Sequence, residues 1–387
     1  MNSRGTIVVA GSVAQRPGNG GHTWVFLQYL LGFRRLGWDV LFLDRLEPEM
    51  CVDARGRPTE VERSVNIAYL DRVFRAFALG DRYAVFHDGG ERTVGLSRTQ
   101  VLNEVSRSVL VMNVNGFFDD EQVLSQAALR VYFDIDPGFA HMWRALGLHD
   151  AFQGHDAYVT VGENVGRADC TIPTGGIDWI TTPQPVVLEH WPVQHGGARG
   201  FTSVGSWRGP FDPIEYEGVT YGLRVHEFRK FAELPGRVTQ PLEIALDIDH
   251  ADARDVELLR TGGWTLRNPR EVAADPWRYR AYLQGSSAEL MVAKNMYVKS
   301  RSGWFSDRSI CYLASGRPVL AQDTGFSNYH PVGGGLLAFT TLEEAIEGVE
   351  RIVADYDAQS RAARELAEAH FESNRVLGML LQKLGIA

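Results

Sequence analysis

The segment KSRSGWFSDRS, residues 299–309, combines cations with small hydroxyl residues just before a predicted helix. Backbone N–H groups at a helix N-terminus bind anionic groups such as phosphate, helped by the helix dipole and by nearby cations. The segment therefore predicts an anion site, whereas the alternative is an ordinary N-cap at Ser306 with solvated basic residues. The residues of this predicted site are Arg301, Ser302, Gly303, Ser306, Asp307 and Arg308.

A histidine stands where the first predicted strand gives way to a helix. His22 comes directly after the glycine cluster that contains Gly18, Gly20 and Gly21. The unperturbed pKa of histidine lies near neutral pH, so this side chain suits the removal of a proton from a hydroxyl group. The alternative is that His22 only positions the loop or a bound molecule.

Acidic residues follow two later strands in the first half of the chain. Asp134 and Asp136 alternate with apolar residues in FDIDPGF, and Glu163 lies in VGENVG. These carboxylates, together with Gly20 and Gly21, could line a pocket for an amine or hydroxyl group. For the two aspartates, a cap on the helix that follows Pro137 is an equally good interpretation.

Apolar runs and glycine-rich turns predict the elements that carry these residues. Residues 6–13 are apolar without alternation, which indicates a parallel strand buried on both faces. Helical spacing follows from Thr23 and ends at Arg34, Arg35 and Gly37, before a second apolar run at residues 39–43. This β–α–β unit predicts an α/β fold with a parallel sheet.

The length and the change of composition near residue 190 predict two domains. A chain of 387 residues is too long for one ordinary core. A second α/β series begins at residue 201, after a stretch rich in Pro, Gly and His. We expect a first α/β domain at residues 1–185, a linker at 186–200, a second α/β domain at 201–365, and a terminal helix at 366–387. Ligands of such folds bind at the carboxyl ends of the strands, which places the site between the domains.

Composition narrows the class of partner. The net charge of −9 argues against a nucleic-acid or anionic-membrane surface, and no apolar run approaches the length of a membrane span. Three cysteines without a CxxC pair argue against a disulfide framework or zinc site and favour the cytoplasm. We expect no metal site, because His250, His330 and His370 are not spaced as metal ligands are. We interpret each of them as a structural or an exposed residue. The glycine-rich start lacks the GxGxxG dinucleotide fingerprint.

Two longer patterns carry a family resemblance. GGHTWVFLQYLLGFRRLGWDV, residues 20–40, and SDRSICYLASGRPVLAQDTGF, residues 306–326, resemble the corresponding segments of GT-B glycosyltransferases. The resemblance implies two Rossmann-like domains that face each other across a cleft, with a nucleotide-sugar bound mainly by the second one. It also implies that the terminal helix, residues 366–387, crosses back to pack on the first domain. Many members have a glutamate that binds the ribose where this chain has Cys311, and the paired-glutamate motif of several retaining members is absent.

The resemblance also implies roles for particular residues. In inverting members the histidine at the position of His22 is the base, oriented by an aspartate that would here be Asp119 or Asp120. Side chains after the strands of the second domain would hold the donor, with Arg208 at the diphosphate, Trp264 at the base and Asp323 at sugar hydroxyls. A surface arginine, a core tryptophan and a plain Asx turn are the respective alternatives. The remaining donor-binding residues of this prediction are Gly205, Trp207, Thr324 and Gly325.

The predicted function is the transfer of a sugar from a UDP- or dTDP-linked donor, without a metal cofactor, to a hydroxyl or amine of a small acceptor. The chain looks similar to bacterial tailoring enzymes of natural-product or surface-glycan assembly. The alternatives are an enzyme like the nucleotide-sugar 2-epimerases, or a non-catalytic protein that binds nucleotide sugars. The sequence leaves open the sugar, the acceptor, the stereochemistry and the oligomeric state.

Overall fold

The computed structural model describes residues 4–194 and 199–386. They form two compact units that are not continuous in sequence. The first unit holds residues 4–135, 151–159 and 377–386, and the second holds the other described residues. The predicted first domain ended at residue 185, whereas the second unit includes residues 136–150 and continues from residue 160. Within that unit Asn164 N donates to Ser302 O at 3.0 Å. Residues 195–198 of the predicted linker lie outside the described residues.

The first unit is built on a mainly parallel sheet, as the apolar runs predict. Within this unit the strands are ordered β4-β3-β2-β1-β5-β6-β7. The β1–β2, β1–β5, β2–β3 and β5–β6 pairs are parallel, and the β3–β4 pair is antiparallel. The strands and helices up to residue 160 are β1 (Thr6–Ala10), α1 (Gly20–Arg35), β2 (Asp39–Leu46), α2 (Val65–Ala76), β3 (Tyr83–His87), β4 (Arg92–Gly95), α3 (Arg98–Ser106), β5 (Ser108–Val114), α4 (Glu121–Leu124), β6 (Arg130–Asp134), α5 (Phe139–Ala145) and β7 (Ala157–Thr160).

The second unit contains a six-stranded, wholly parallel sheet in the order β13-β12-β9-β14-β15-β16, and a small antiparallel hairpin, β10–β11. The remaining elements are β8 (Ile180–Thr181), β9 (Phe201–Ser206), β10 (Ile214–Tyr216), β11 (Val219–Tyr221), α6 (Arg224–Phe228), β12 (Leu242–Asp247), α7 (Ala253–Thr261), β13 (Thr265–Arg267), α8 (Pro269–Val272), α9 (Pro276–Gln284), β14 (Ala288–Met291), α10 (Asn295–Ser300), α11 (Asp307–Ala314), β15 (Val319–Gln322), β16 (Leu336–Phe339), α12 (Leu342–Ala354), α13 (Tyr356–Leu366) and α14 (Ser373–Lys383).

Each sheet has one point where the strand order reverses. In the first unit the chain adds β2 and β3 on one side of β1 and then crosses to add β5, β6 and β7 on the other side. In the second unit the same crossing separates β9 from β14. Ligands of open α/β sheets bind outside the carboxyl ends of the strands at such switch points, so these two places are the first to inspect.

Candidate functional site

A buried ion pair lies at the switch point of the second unit. Arg308, near the start of α11, donates from Nε to Glu289 Oε1 at 2.5 Å and from Nη1 to the carbonyl of Val204 at 2.6 Å. The side chain of Glu289 on β14 is completely buried, and that of Arg308 is 9% exposed. The contact with Val204 fixes this guanidinium at the carboxyl end of β9.

A second buried guanidinium reaches the same strand end. A Cβ atom on Gly205 would lie 3.2 Å from Arg224 Cζ, so the lack of a side chain at Gly205 makes room for the arginine. Arg224 also donates from Nη1 to the carbonyl of Val292, which follows β14. Burial, and then repulsion by Arg308, lowers the pKa of Arg224 to about 10, which still leaves it cationic at neutral pH.

The two guanidinium groups leave donors without acceptors. Arg224 Nε and Arg308 Nη2 are buried and have no hydrogen-bond partner among the described residues, and the same holds for Ser309 Oγ and Trp304 Nε1. A buried donor without an acceptor is costly, and more so when it belongs to a charged group. Two adjacent cations with unused N–H groups at a switch point form a site that an anion such as a diphosphate would satisfy.

A third cation, Lys294, lies three residues after the end of β14. Lys294 Nζ donates to Asp136 Oδ2 at 2.6 Å, and the Tyr297 hydroxyl donates to the other oxygen of the same carboxylate. Asp136, predicted from the sequence as an acceptor ligand, is therefore part of an ion pair in the second unit. The structure places its sequence neighbour Asp134 at the buried end of β6 in the first unit.

A network around Glu227 links α6, the helix that begins at Arg224, to the segment that contains Lys294. The buried Glu227 carboxylate accepts from Asn295 Nδ2 at 2.6 Å, from Gln322 Nε2 at 2.7 Å and from Lys230 Nζ at 2.8 Å. These hydrogen bonds connect α6, which carries Glu227, to Asn295, the residue that follows Lys294. The sequence analysis missed Arg224 and Lys294. Lys294 follows an apolar run that predicts a strand, and a cation after a strand is a sign of an anion site at the edge of the sheet.

The predicted anion loop is mostly structural. Ser302 Oγ accepts from Trp304 N, and Ser306 Oγ accepts from Arg308 N as the N-cap of α11. Arg301 is exposed and pairs with Asp169, at 3.2 Å between Nε and Oδ2. Burial raises the pKa of Asp307, the first residue of α11. Of the cations in this loop, Arg308 is the one that the structure brings to the end of β9.

Three further donor-site candidates already have partners. The Trp207 indole donates to Asp255 Oδ2 at 2.8 Å, and the buried Trp264 indole donates to the carbonyl of Ala232 at 3.1 Å. The Arg208 guanidinium donates from Nε and Nη2 to both carboxylate oxygens of Asp252, at 2.6 to 3.0 Å. The contacts of Arg208 and Trp264 are those expected of the surface arginine and the core tryptophan that were their alternatives.

The turn after β15 is held by its own hydrogen bonds. Asp323 accepts from the backbone N–H of Gly325 at 2.9 Å and from the Ser327 hydroxyl at 2.8 Å, which is an Asx turn. Thr324 is buried and donates to the carbonyl of Trp304 at 2.6 Å. Gly325 has a φ of +95°, and a Cβ there would lie 2.6 Å from Asn164 Nδ2.

At the switch point of the first unit, His22 is held by Ser12. Its Nε2 atom lies 2.9 Å from Ser12 Oγ and 3.1 Å from the Ser12 carbonyl oxygen. Because a carbonyl only accepts, Nε2 carries the proton and Nδ1 is the acceptor nitrogen. Burial, and then the charge of Arg16, lowers the pKa of His22 to about 3. A base this weak transfers protons poorly at neutral pH, which favours the positioning role over the base role.

The loop that carries Ser12 is clamped by a buried carboxylate. Asp44 at the end of β2 accepts from Ala14 N at 2.6 Å and from Gln15 Nε2 at 2.9 Å. Asn66 also holds this loop, because its Nδ2 donates to the Ala14 carbonyl at 2.8 Å. Burial raises the pKa of Asp44 to about 7, against the hydrogen bonds that lower it. The sequence analysis missed Asp44, which directly follows the apolar run at residues 39–43.

The two aspartates that the family resemblance implied as partners of His22 form ion pairs with arginines. Asp120 caps α4 and accepts from Arg98 through both oxygens, at 2.7 and 2.9 Å. Asp119 pairs with Arg45. Gly20 and Gly21 form the first turn of α1, where His22 N donates to Asn19 Oδ1 at 3.1 Å. Glu163 lies in the second unit and pairs with His330, with 2.6 Å between Oε2 and Nε2.

Structural comparisons identify the fold. No protein-family model and no curated protein matches the chain. It is similar to a sucrose-phosphate synthase from Thermosynechococcus elongatus, with a TM-score of 0.56, 14% identity, and coverage of 98% of this chain and 99% of that one. It is also similar to an α-glucosyltransferase in complex with UDP and a 13-mer DNA (TM-score 0.59, 10% identity, 100% of both chains).

A third similar structure is AviGT4, a glycosyltransferase involved in avilamycin A biosynthesis, with a TM-score of 0.50, 12% identity, and coverage of 97% of this chain and 96% of that one. All three likenesses extend over nearly the whole chain. Every helix among residues 4–194 and 199–386 is too short or too polar to cross a bilayer. The two parallel sheets and these likenesses confirm the predicted fold class: the chain has the GT-B fold.

Proposed function

We propose that the chain is a glycosyltransferase that uses a nucleoside diphosphate sugar, linked to UDP or dTDP. The observation that carries the proposal is the pair of buried guanidinium groups, Arg224 and Arg308, with unused donors at the β9–β14 switch point. The leaving group of such a transfer is a diphosphate, whose negative charge grows as the bond to the sugar breaks. Fixed cations aimed at that position stabilise the transition state.

Arg224, Arg308 and Lys294 would neutralise the diphosphate without a metal ion. Lys294 is held by Asp136, and a phosphate oxygen could share its ammonium group. The three similar proteins carry names that point to different acceptors, one of them on DNA. For this chain we favour a small acceptor with a hydroxyl or amine group, as in tailoring of natural products or glycans, because a net charge of −9 opposes nucleic acid.

Binding of nucleotides tests the proposal. UDP or dTDP should raise the melting temperature of the protein, because a ligand that binds only the folded state stabilises it by mass action. UMP and dTMP are the matched controls, since each differs from its diphosphate only by lacking the second phosphate. If neither diphosphate changes the melting temperature, both the transferase and the epimerase alternative lose their support.

The fate of the donor separates the remaining alternatives. A transferase should slowly hydrolyse its nucleotide-sugar when no acceptor is present, because water can take the place of the acceptor. An epimerase-like enzyme should convert the sugar instead, and a non-catalytic binding protein should leave it intact. Release of UDP from UDP-glucose, followed by chromatography of the sugar, distinguishes these three results.

A further inference from the structure

The indole of Trp304 is a buried donor at the carboxyl edge of the second sheet. Trp304 lies in the loop between α10 and α11, and the residue is 6% exposed. Its Nε1 atom is buried and has no hydrogen-bond acceptor among the residues that the structure describes. The indoles of Trp207 and Trp264, by contrast, donate to a carboxylate at 2.8 Å and to a carbonyl at 3.1 Å. A buried donor that lacks an acceptor is costly, so the unused N–H of Trp304 calls for an explanation.

The rest of Trp304 is fixed in place. Its backbone N–H donates to Ser302 Oγ at 3.2 Å, and its carbonyl accepts from Thr324 Oγ1 at 2.6 Å. Its ring stacks on the Tyr297 ring, with 4.4 Å between the centroids and 27° between the planes. Because the backbone and the ring are both held, the indole N–H does not need to be ordered when a ligand binds.

Tyr297 connects Trp304 with the cations of the candidate anion site. The Tyr297 hydroxyl donates to the Asp136 carboxylate, which pairs with Lys294. The Lys294 ammonium also lies 5.2 Å from the centroid of the Tyr297 ring. Burial lowers the pKa of Arg224, and Tyr297 and Asp136 lie close enough to oppose that shift. Since Trp304 and Lys294 contact the same phenol ring, the indole lies beside the site that we propose for the diphosphate.

The order of the strands places these groups along one edge of the sheet. The guanidinium pair lies at the end of β9, and Lys294 follows β14, the next strand in the sheet. Thr324, which bonds to the Trp304 carbonyl, follows β15, the strand after that. A ligand whose diphosphate lies at the guanidinium pair would therefore meet Lys294 and then Trp304 as it follows the carboxyl edge.

A short segment covers the edge beside Trp304. Gly162 forms an antiparallel β-bridge with Trp304, and Asn164 N donates to Ser302 O at 3.0 Å. Gly303, with a φ of +74°, allows this close approach, because a Cβ there would lie 2.5 Å from Asn164 N. An edge that is covered at this end suits a single sugar ring better than the longer nucleoside.

We propose that the Trp304 indole recognises the sugar of the nucleotide-sugar donor, by donating a hydrogen bond from Nε1 to one of the sugar hydroxyl groups. The inference rests on the proposed function. An indole N–H is a neutral group with a single donor, which matches a hydroxyl oxygen, whereas the diphosphate oxygens have the cations Arg224, Arg308 and Lys294. Trp304 is then a specificity-determining residue that favours a sugar with this hydroxyl over the analogue that lacks it.

Calorimetric titration of wild type and Trp304→Phe tests the contact. Phenylalanine keeps an aromatic ring on Tyr297 but removes the N–H group. The ligands are UDP, dTDP, UDP-glucose, UDP-galactose, UDP-N-acetylglucosamine and dTDP-glucose. Trp304→Phe should raise the Kd of the sugar nucleotide that wild type binds best by about 3- to 10-fold, the effect of one neutral hydrogen bond. The Kd of the matching diphosphate should change less than about twofold, because it lacks the sugar.

Trp38→Phe is the matched control. Trp38 Nε1 is also buried without a hydrogen-bond partner in the described part of the chain. A Cβ on Gly5, the residue before β1, would lie 3.4 Å from the Trp38 ring, so this indole is at the amino edge of the first sheet. Ligands of open α/β sheets bind at the carboxyl edge, so Trp38→Phe should change neither Kd.

Deoxy sugars identify the hydroxyl group. Analogues of the best sugar nucleotide, each lacking one hydroxyl of the sugar, are titrated against wild type and Trp304→Phe. One analogue should bind wild type about 3- to 10-fold more weakly than its parent, yet bind Trp304→Phe as tightly as the parent does. If every analogue loses the same factor in both proteins, the indole bonds to no sugar hydroxyl and the proposal is overturned. Should Trp304→Phe not fold, 3-benzothienylalanine at position 304 keeps the shape of the ring with sulfur in place of the N–H.

The two proposals fail in different ways. If wild type binds neither UDP nor dTDP, the proposed function is wrong. If it binds a diphosphate but none of the sugar nucleotides, or if Trp304→Phe weakens the diphosphate as much as its sugar nucleotide, the sugar contact is wrong and the diphosphate site stands. A lower melting temperature of Trp304→Phe with both Kd values unchanged would mean that Trp304 only packs, which also overturns the inference.

Discussion

The two switch points have the same topology but opposite polar chemistry. In the first unit, the backbone of the loop after β1 is hydrogen-bonded by the side chains of Asp44, Asn66 and His22. In the second unit, Arg224 and Arg308 lie at the end of β9 with donors that have no acceptor among the described residues. The first loop is therefore a preformed support, whereas the switch point of the second unit carries a charged site that an anion would complete.

The largest effect should come from breaking the buried ion pair of the second unit. Arg308→Met leaves the Glu289 carboxylate buried without its cation, which should lower the free energy of unfolding by about 3–5 kcal/mol. The double variant Arg308→Met/Glu289→Met should recover most of this loss, because no charge is then buried. Urea unfolding measures both. A single variant as stable as the double variant would show that the pair is not charged or not buried.

The carboxylate of the first unit should make stability depend on pH. The pKa of Asp44 is raised from 3.8 to about 7 in the folded state. A raised pKa contributes stability that is complete below pH 4 and is lost as pH rises through 7. Relative to Asp44→Asn, wild type should therefore lose about 4 kcal/mol of unfolding free energy between pH 4 and pH 8.

Asp53→Asn is the matched control for this pH dependence. Asp53 is held by hydrogen bonds from Arg57, which lower its pKa, so its contribution has the opposite sign. Its stabilisation is present above pH 4 and is lost as pH falls through its folded pKa. Denaturation curves of the three proteins across pH should separate the two effects. Parallel curves for wild type and Asp44→Asn would mean that Asp44 does not titrate in this range.

Removal of the second guanidinium should affect the ligand more than the fold. Arg224→Gln deletes a cation that is buried and repelled by Arg308, so the melting temperature of the free protein should not fall. The Kd for UDP should rise about 10- to 100-fold, because a hydrogen bond between a cation and a phosphate contributes about 1.5–3 kcal/mol. Calorimetric titration measures this change.

Arg208→Gln is the control for Arg224→Gln. Arg208 is half-exposed and pairs with Asp252, so its loss should change neither stability nor UDP affinity by more than about 1 kcal/mol. If Arg208→Gln weakens UDP binding as strongly as Arg224→Gln, the diphosphate lies at the surface loop that the family resemblance implied. The buried pair would then have a structural role.

The smallest effect concerns His22 and the pH profile of the reaction. With a pKa of about 3, its imidazole stays neutral across pH 5–8. The profile of kcat/KM for hydrolysis of UDP-glucose should therefore have the same inflections in wild type and in His22→Gln, although the rates can differ. Loss of an inflection near pH 6–7 in the variant would instead restore His22 as the general base.

The sequence predicted the α/β class and the strands at residues 6–13 and 39–43 correctly, because buried parallel strands appear as uninterrupted apolar runs. It did not predict β4, the β10–β11 hairpin or α6, which are short and carry no clear period. Arg308 was found because it precedes a helix in a loop of cations. Arg224 was missed because a buried cation in a short helix looks like a surface residue until its neighbours are known. The Glu163–His330 pair depends on a long-range contact that spacing alone does not reveal.

A crystal structure with UDP tests the central claim most directly. We predict that diphosphate oxygens lie within about 3.2 Å of Arg224 Nε and Arg308 Nη2, so that both buried donors gain acceptors. The loop around Ser12 and His22 should keep the hydrogen bonds it has without nucleotide. UDP bound at another place, with both guanidinium donors still without acceptors, would contradict the account.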